Sequence, residues 1–161
     1  MDLGLDGKRA LVTGSTAGIG FATARALAAE GAEVVVNGRT EARVAAAAQK
    51  IERELPDARV SGIAADLGTA AGCAALLEKL PEVDVLVNNV GIFEPKPFEE
   101  IPDEDWRHFF EVNVLSTSLT WSKHKDFPTS CGTMPSRGMK KQPSGCFLVS
   151  QMHTVRQTTS T

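Results

Sequence analysis

The densest chemical signal in the chain is Thr13-Gly14-Ser15-Thr16-Ala17-Gly18-Ile19-Gly20, set between a β-branched run at Arg9–Val12 and an alanine-rich helical stretch at Gly18–Glu30. A glycine at a strand end lets the backbone reverse tightly, and further glycines let main-chain NH groups approach a pyrophosphate while helix and strand pack closely. The helix N-terminus adds oriented NH donors and a partial positive charge, so this spacing is suited to holding a dinucleotide. No Lys-Ser or Lys-Thr pair follows Gly20, which separates the loop from the P-loop of nucleoside-triphosphate hydrolases. Further along stand Asp66-Leu67, Asn88-Asn89-Val90-Gly91 and Asn113. Singly, each polar residue has a plain structural use: Asp66 as a turn or helix cap, Asn88 and Asn89 as strand ends, Asn113 as a solvent-facing helix residue.

The elements that must position these groups alternate. Strands are expected at Arg9–Val12, Glu33–Asn37, Arg59–Ala64 and Asp84–Val87, and helices at Gly18–Glu30, Glu41–Leu55 and Ala70–Lys79. A further helix is expected over Asp103–Thr120, entered through Pro102, with Trp106, Phe109, Phe110 and Val112 available for packing. Short β-branched runs alternating with helical stretches are the pattern of βαβ units, which predicts an α/β fold with a Rossmann-type doubly wound parallel sheet.

The composition changes after Leu119. From Trp121 to Thr161 there are six Lys or Arg against one acidic residue, Asp126, and no alanine. Pro128, Pro135, Pro143 and Gly132, Gly138, Gly145 interrupt any long helix, leaving Cys146–Ser150 as the plausible strand. The chain therefore divides into a nucleotide-binding half-domain over 1–120 and an atypical basic tail over 121–161.

Thr13-Gly-X-X-X-Gly-Ile-Gly20 resembles the cofactor motif of the classical short-chain dehydrogenases/reductases, and three later segments agree in order and spacing. Asp66-Leu67 resembles the pair that holds the adenine ring. Asn88-Asn89-Val90-Gly91 is similar to the family's Asn-Asn-Ala-Gly, and Asn113 matches its active-site asparagine. The resemblance runs from Met1 to about Leu119. It implies an oxidoreductase interconverting a small-molecule alcohol and carbonyl by hydride transfer, with cofactor contacts at Gly14, Ser15, Gly18, Ile19, Gly20, Arg39, Asp66, Leu67 and Asn89. In Val36-Asn37-Gly38-Arg39-Thr40, Gly38 takes the place of the acidic residue that grips both ribose hydroxyls, and Arg39 that of the basic residue that attracts a 2′-phosphate. NADP(H) is expected over NAD(H), although Thr16 stands where some NADP-preferring relatives carry a basic residue.

The same resemblance sets a requirement the sequence does not meet. The family's chemistry uses a tyrosine to exchange a proton with the substrate oxygen, a lysine four residues later to hold the ribose and lower that tyrosine's pKa, and a serine to orient the substrate. The chain contains no tyrosine, and Asn113 is the one member of the catalytic set with a counterpart, so turnover is not expected. His153 brings an imidazole, a side chain able to exchange protons, but carries no other sign of the role. The sheet is expected truncated, with an open edge where later strands of the family would stand.

Gln151–Thr161 resembles, at its two ends, a subgroup's Met-His-Tyr-Gly-Ala-Thr-Lys-Thr, with Thr154 in the tyrosine's place, Thr158 at or beside the lysine's, and Lys141 about where the serine belongs. Three origins fit: a shifted reading frame, an authentic alternative C-terminus, or a basic extension without fixed structure. A different class of function, a non-catalytic dinucleotide-binding or interaction module, also fits the half-domain.

Bulk properties narrow the rest. A net charge of −3 provides no broad basic field for nucleic acid or an anionic membrane. Cys73, Cys131 and Cys146 are too scattered for a zinc or redox motif, so no metal is expected and a reducing, cytoplasmic setting fits. Met1–Lys8 has neither a signal peptide's nor a membrane span's apolar run. Oligomeric state is not legible at this level.

Overall fold

The computed structural model describes residues 3–117 and, as backbone, 147–150. The order is β1 (Arg9–Val12), α1 (Gly18–Ala29), β2 (Glu33–Gly38), α2 (Glu41–Glu54), β3 (Arg59–Ala64), α3 (Ala70–Lys79), β4 (Val85–Asn88), a 3₁₀ turn at Phe98–Glu100, α4 (Asp103–Phe110), a π turn at Glu111–Leu115 and β5 (Phe147–Ser150). The strands form one parallel sheet in the order β3-β2-β1-β4-β5, with Val12 opposite Val36 and Val87, and Asn88 opposite Ser150. The sheet is Rossmann-like, as its sequence pattern predicted.

Side chains of a strand alternate between faces, so a strand covered on both sides must be apolar at every step. Ala10 and Val12, Val34 and Val36, and Val85 and Val87 pack with Ala24, Ala28, Val44 and Ile51 of α1 and α2. Leu11, Val35 and Leu86 face the other way, onto Cys73, Leu76 and Leu80 around α3. Leu11, Ile51, Leu76 and Leu86 are almost wholly buried, and burying a side chain of this size stabilises by about 1.5–3 kcal/mol.

Four boundaries differ from expectation by one residue: α1 and α2 end at Ala29 and Glu54, and two strands shift. β2 extends to Gly38, and β4 runs Val85–Asn88 rather than Asp84–Val87. Asp84 clasps the start of the sheet: its carboxylate accepts from Arg9 NH at 2.9 Å, and its own NH donates to the Arg9 carbonyl at 2.8 Å. That bond, ahead of the Lys8 ammonium at 3.4 Å, holds the Asp84 carboxyl below the usual carboxylate range.

The expected helix Asp103–Thr120 is α4 followed by the π turn, and Trp106 and Phe110 do not pack into the core as expected. The wider turn brings Val112 and Ser116 inward, and Ser116 Oγ donates to the Val112 carbonyl at 2.5 Å. Trp106 and Phe110 remain half exposed, Trp106 edge-on to Phe98. Residues 118–120 of the expected helix, Cys131, Lys141, Cys146, His153, Thr154 and Thr158 lie outside the described residues.

Candidate functional site

Open parallel sheets bind ligands outside the carboxyl ends of their strands, and the loop after β1 is built there by three polar residues. Thr13 is buried; its hydroxyl donates to the Val87 carbonyl at 3.3 Å and accepts from the NH groups of Asn89 at 2.9 Å and Val90 at 3.1 Å. It thereby staples the end of β1 to the end of β4. Ser15, also buried, donates its hydroxyl to the Val12 carbonyl at 2.6 Å and accepts from Asn37 NH at 2.9 Å, while its own NH donates to the Asn37 carbonyl at 2.8 Å. The third residue, Asn37, ends a run of three valines, and a buried amide there must find partners. Its oxygen accepts from Gly14 NH at 3.2 Å, and its nitrogen donates to the Ile63 carbonyl at 3.1 Å and the Ala65 carbonyl at 3.3 Å. One side chain thus joins the glycine loop to the segment that leads into Asp66.

Gly14 and Gly18 have φ of 61° and 58°, the left-handed region that favours glycine. Gly20 is needed for space: a Cβ there would overlap the Asn89 amide nitrogen and lie 2.6 Å from the Gly14 carbonyl oxygen. That amide nitrogen donates to the carbonyls of Thr13 and Gly14, each at 3.1 Å, so the Asn89 side chain holds the loop from behind.

At the front of the loop, the N-cap of α1 is Ala17, which offers no side-chain cap, and the first turn holds no acidic residue. Among the described residues, the NH groups of Gly18, Ile19 and Gly20 meet no protein acceptor. Nothing lies within 4 Å of a Cβ built on Gly18. An open, uncapped helix N-terminus with free NH donors fits a pyrophosphate.

The other expected residues fall around this cradle. Arg39 is exposed just beyond β2, and among the described residues it has no ion-pair partner. Asp66 is exposed with one carboxylate oxygen accepting from Gly68 NH at 3.0 Å, whereas Leu67 turns its side chain into the core. Asn113 sits inside the π turn and clasps the backbone of Ile92, accepting from its NH at 2.8 Å and donating to its carbonyl at 3.2 Å. A π turn within a helix often marks a functional position, and this one tethers α4 to the loop after β4.

Three positions were not singled out from sequence: Thr13 as a staple, Asn37 as a link, and Ser150, which the register sets at the carboxyl end of β5 opposite Asn88. For Asn37 a signal existed, a polar residue following Val34-Val35-Val36 in a strand expected to be buried.

Away from this edge, Lys96 bridges Asp105 at 2.6 Å and Glu94 at 3.7 Å, and the Asp105 carboxylate raises its pKa above the usual value. Among the described residues no group of three His, Cys, Asp or Glu could hold a metal, and no helix is long and apolar enough to cross a membrane.

A family model for short chain dehydrogenase matches residues 8–124. The chain is 52% identical over 116 residues to the uncharacterized oxidoreductase YvaG of Bacillus subtilis (strain 168), covering 72% of this chain and 44% of that one. It is 33% identical over 161 aligned positions to the D-beta-hydroxybutyrate dehydrogenase of Cupriavidus necator, covering 94% and 62%. Among solved structures, the L-sorbose reductase of Gluconobacter frateurii, complexed with NADPH and L-sorbose, superimposes with a TM-score of 0.69 at 35% identity, over 74% of this chain and 47% of that one. The chain spans about half the length of the curated relatives it matches.

Proposed function

Because the chain belongs to the short chain dehydrogenase family of oxidoreductases, we propose that its described residues are the half that holds NADP(H) for alcohol–carbonyl interconversion on a small molecule. The observation that carries this reading is the uncapped start of α1 behind a glycine loop fixed by Thr13, Ser15, Asn37 and Asn89. In it, the NH groups of Gly18, Ile19 and Gly20 bind the pyrophosphate. Arg39 binds a 2′-phosphate, and Gly14, Ser15, Asp66, Leu67 and Asn89 shape or line the nucleotide site. When bound, the nicotinamide carries the hydride. NADPH in the solved L-sorbose reductase supports the choice of cofactor.

Proton transfer to or from the substrate oxygen needs a donor of suitable pKa within reach, and no tyrosine stands in the 161 residues. Asn113 holds the Ile92 backbone and so the loop beneath the nicotinamide end. Ser150 stands at the carboxyl end of β5, in register with Asn88. We therefore propose that this chain binds dinucleotide without turning over. The missing phenol equally favours the second reading, a non-catalytic dinucleotide-binding module. A reducing, cytoplasmic setting accords with cysteines as scattered as Cys73, Cys131 and Cys146.

Calorimetric titration of the full chain with NADPH and NADH tests the proposal. A charge-assisted phosphate contact is worth about 1.5–3 kcal/mol, so NADPH should bind at least about tenfold more tightly, and Arg39→Ala should remove the difference. Equal affinities in the unaltered chain would refute the cofactor assignment. Measurable oxidation of a secondary alcohol would refute the absence of turnover.

A further inference from the structure

Gly38 ends β2 beside the glycine loop, and the space where its side chain would begin is already occupied. A Cβ built there would overlap the Thr16 methyl, lie 3.5 Å from the Thr16 hydroxyl and lie 3.3 Å from a Val44 methyl. Gly38 is itself buried, Thr16 is half-buried, and Arg39 next to them is exposed. Gly38 has no positive φ that would demand glycine, so the constraint at this position is the neighbouring side chain.

We infer that Thr16 is a specificity-determining residue acting by shape: its methyl fills the position-38 side-chain site and so bars an acidic residue from the ribose end of the nucleotide. The inference rests on the NADP(H) reading for its biological sense. A carboxylate at the end of the second strand grips both ribose hydroxyls and repels a 2′-phosphate, so whichever residue controls access to position 38 controls which cofactor the site can be rebuilt to take. Thr16 carries no charge and needs none. It occupies the place where a side chain at 38 would begin and leaves the electrostatics to Arg39. Position 16 therefore contributes to selectivity without the basic side chain that would attract the phosphate directly.

The two positions must then behave as a coupled pair. Titration of the full chain with NADPH and NADH is made on the unaltered protein, Gly38→Asp, Thr16→Ser, and the double variant. Thr16→Ser removes only the methyl and keeps the hydroxyl. Gly38→Asp alone should weaken both cofactors, because the new side chain displaces the loop. Adding Thr16→Ser should tighten NADH at least about tenfold over Gly38→Asp alone and leave NADPH weak. If Gly38→Asp alone binds NADH as tightly as the double variant, Thr16 does not gate the position and the inference falls.

Failure of the cofactor reading shows separately, as an unaltered chain with no preference for NADPH. A cofactor-free readout decides the matter even where neither dinucleotide binds. In thermal unfolding, Gly38→Ala should lower the midpoint when Thr16 is intact, and by no more than half as much when it is combined with Thr16→Ser. Equal shifts in the two backgrounds overturn the inference.

Discussion

Asn37→Ala is the sharpest probe of how the glycine loop at the carboxyl end of the sheet is held. The substitution removes an amide that is 1% exposed and makes three hydrogen bonds, from Gly14 NH and to the Ile63 and Ala65 carbonyls. Each is worth about 1 kcal/mol net, and leaving a buried partner unsatisfied costs about 1–3 kcal/mol. Gly14 NH and the Ile63 carbonyl are in part-buried bonds, so water recovers some of their loss, whereas the bond to Ala65 is buried. The expected destabilisation is about 3 kcal/mol, a large share of the roughly 5–15 kcal/mol typical of a domain, and a fall of about 10 °C in melting temperature. Urea unfolding followed by far-ultraviolet circular dichroism measures the first quantity and thermal unfolding the second. NADPH affinity at a temperature where the variant is folded should also drop, because Gly14 loses its tether. A variant within about 0.5 kcal/mol of the unaltered chain, the range of neutral surface changes, would show that the amide bonds are not what fixes the loop.

Thr13→Val, nearly isosteric, should cost about 2 kcal/mol by leaving the Asn89 and Val90 NH groups without their acceptor; urea unfolding reads the loss. Gly20→Ala should abolish NADPH binding in calorimetry, since its Cβ meets the Asn89 amide and the Gly14 carbonyl. Asp84 has a folded pKa lowered chiefly by the Arg9 NH, so its contribution is present above the ordinary carboxylate pKa and is lost as pH falls through the depressed folded value. Stability should therefore fall with acid below about pH 4, and Asp84→Asn should flatten that limb of the pH–stability curve by under about 1 kcal/mol, given the half-exposed pair with Lys8. Sequencing the coding DNA from the Val114 codon past Thr161 tests the origin of the tail. A tyrosine with a lysine four residues on in another frame establishes a shifted reading frame, and its absence from every frame establishes a different C-terminus.

The alternation of β-branched runs with alanine-rich stretches was enough to place β1, β3 and α3 at their observed bounds. Both signals are local: a strand covered on both faces must be apolar throughout, and a helix must present one face. The glycine loop was legible for the same reason, since backbone reversal and anion access are demands on a few consecutive residues. The roles of Thr13, Asn37 and Thr16 were not legible. Their partners lie far along the chain, as with Thr13 and Asn89 at a separation of 76 residues and Asn37 and Gly14 at 23. Of the residues after Pro102 expected to be available for packing, Val112 is buried, whereas Trp106 and Phe110 stay half exposed. By itself the sequence determined that a parallel α/β sheet carries a glycine-rich loop after its first strand and that none of the 161 residues is a tyrosine. Only the tertiary structure decided which buried polar groups hold that loop, and that a threonine methyl fills the place of a side chain at position 38, because hydrogen-bond satisfaction and steric fit exist only between segments that folding brings together.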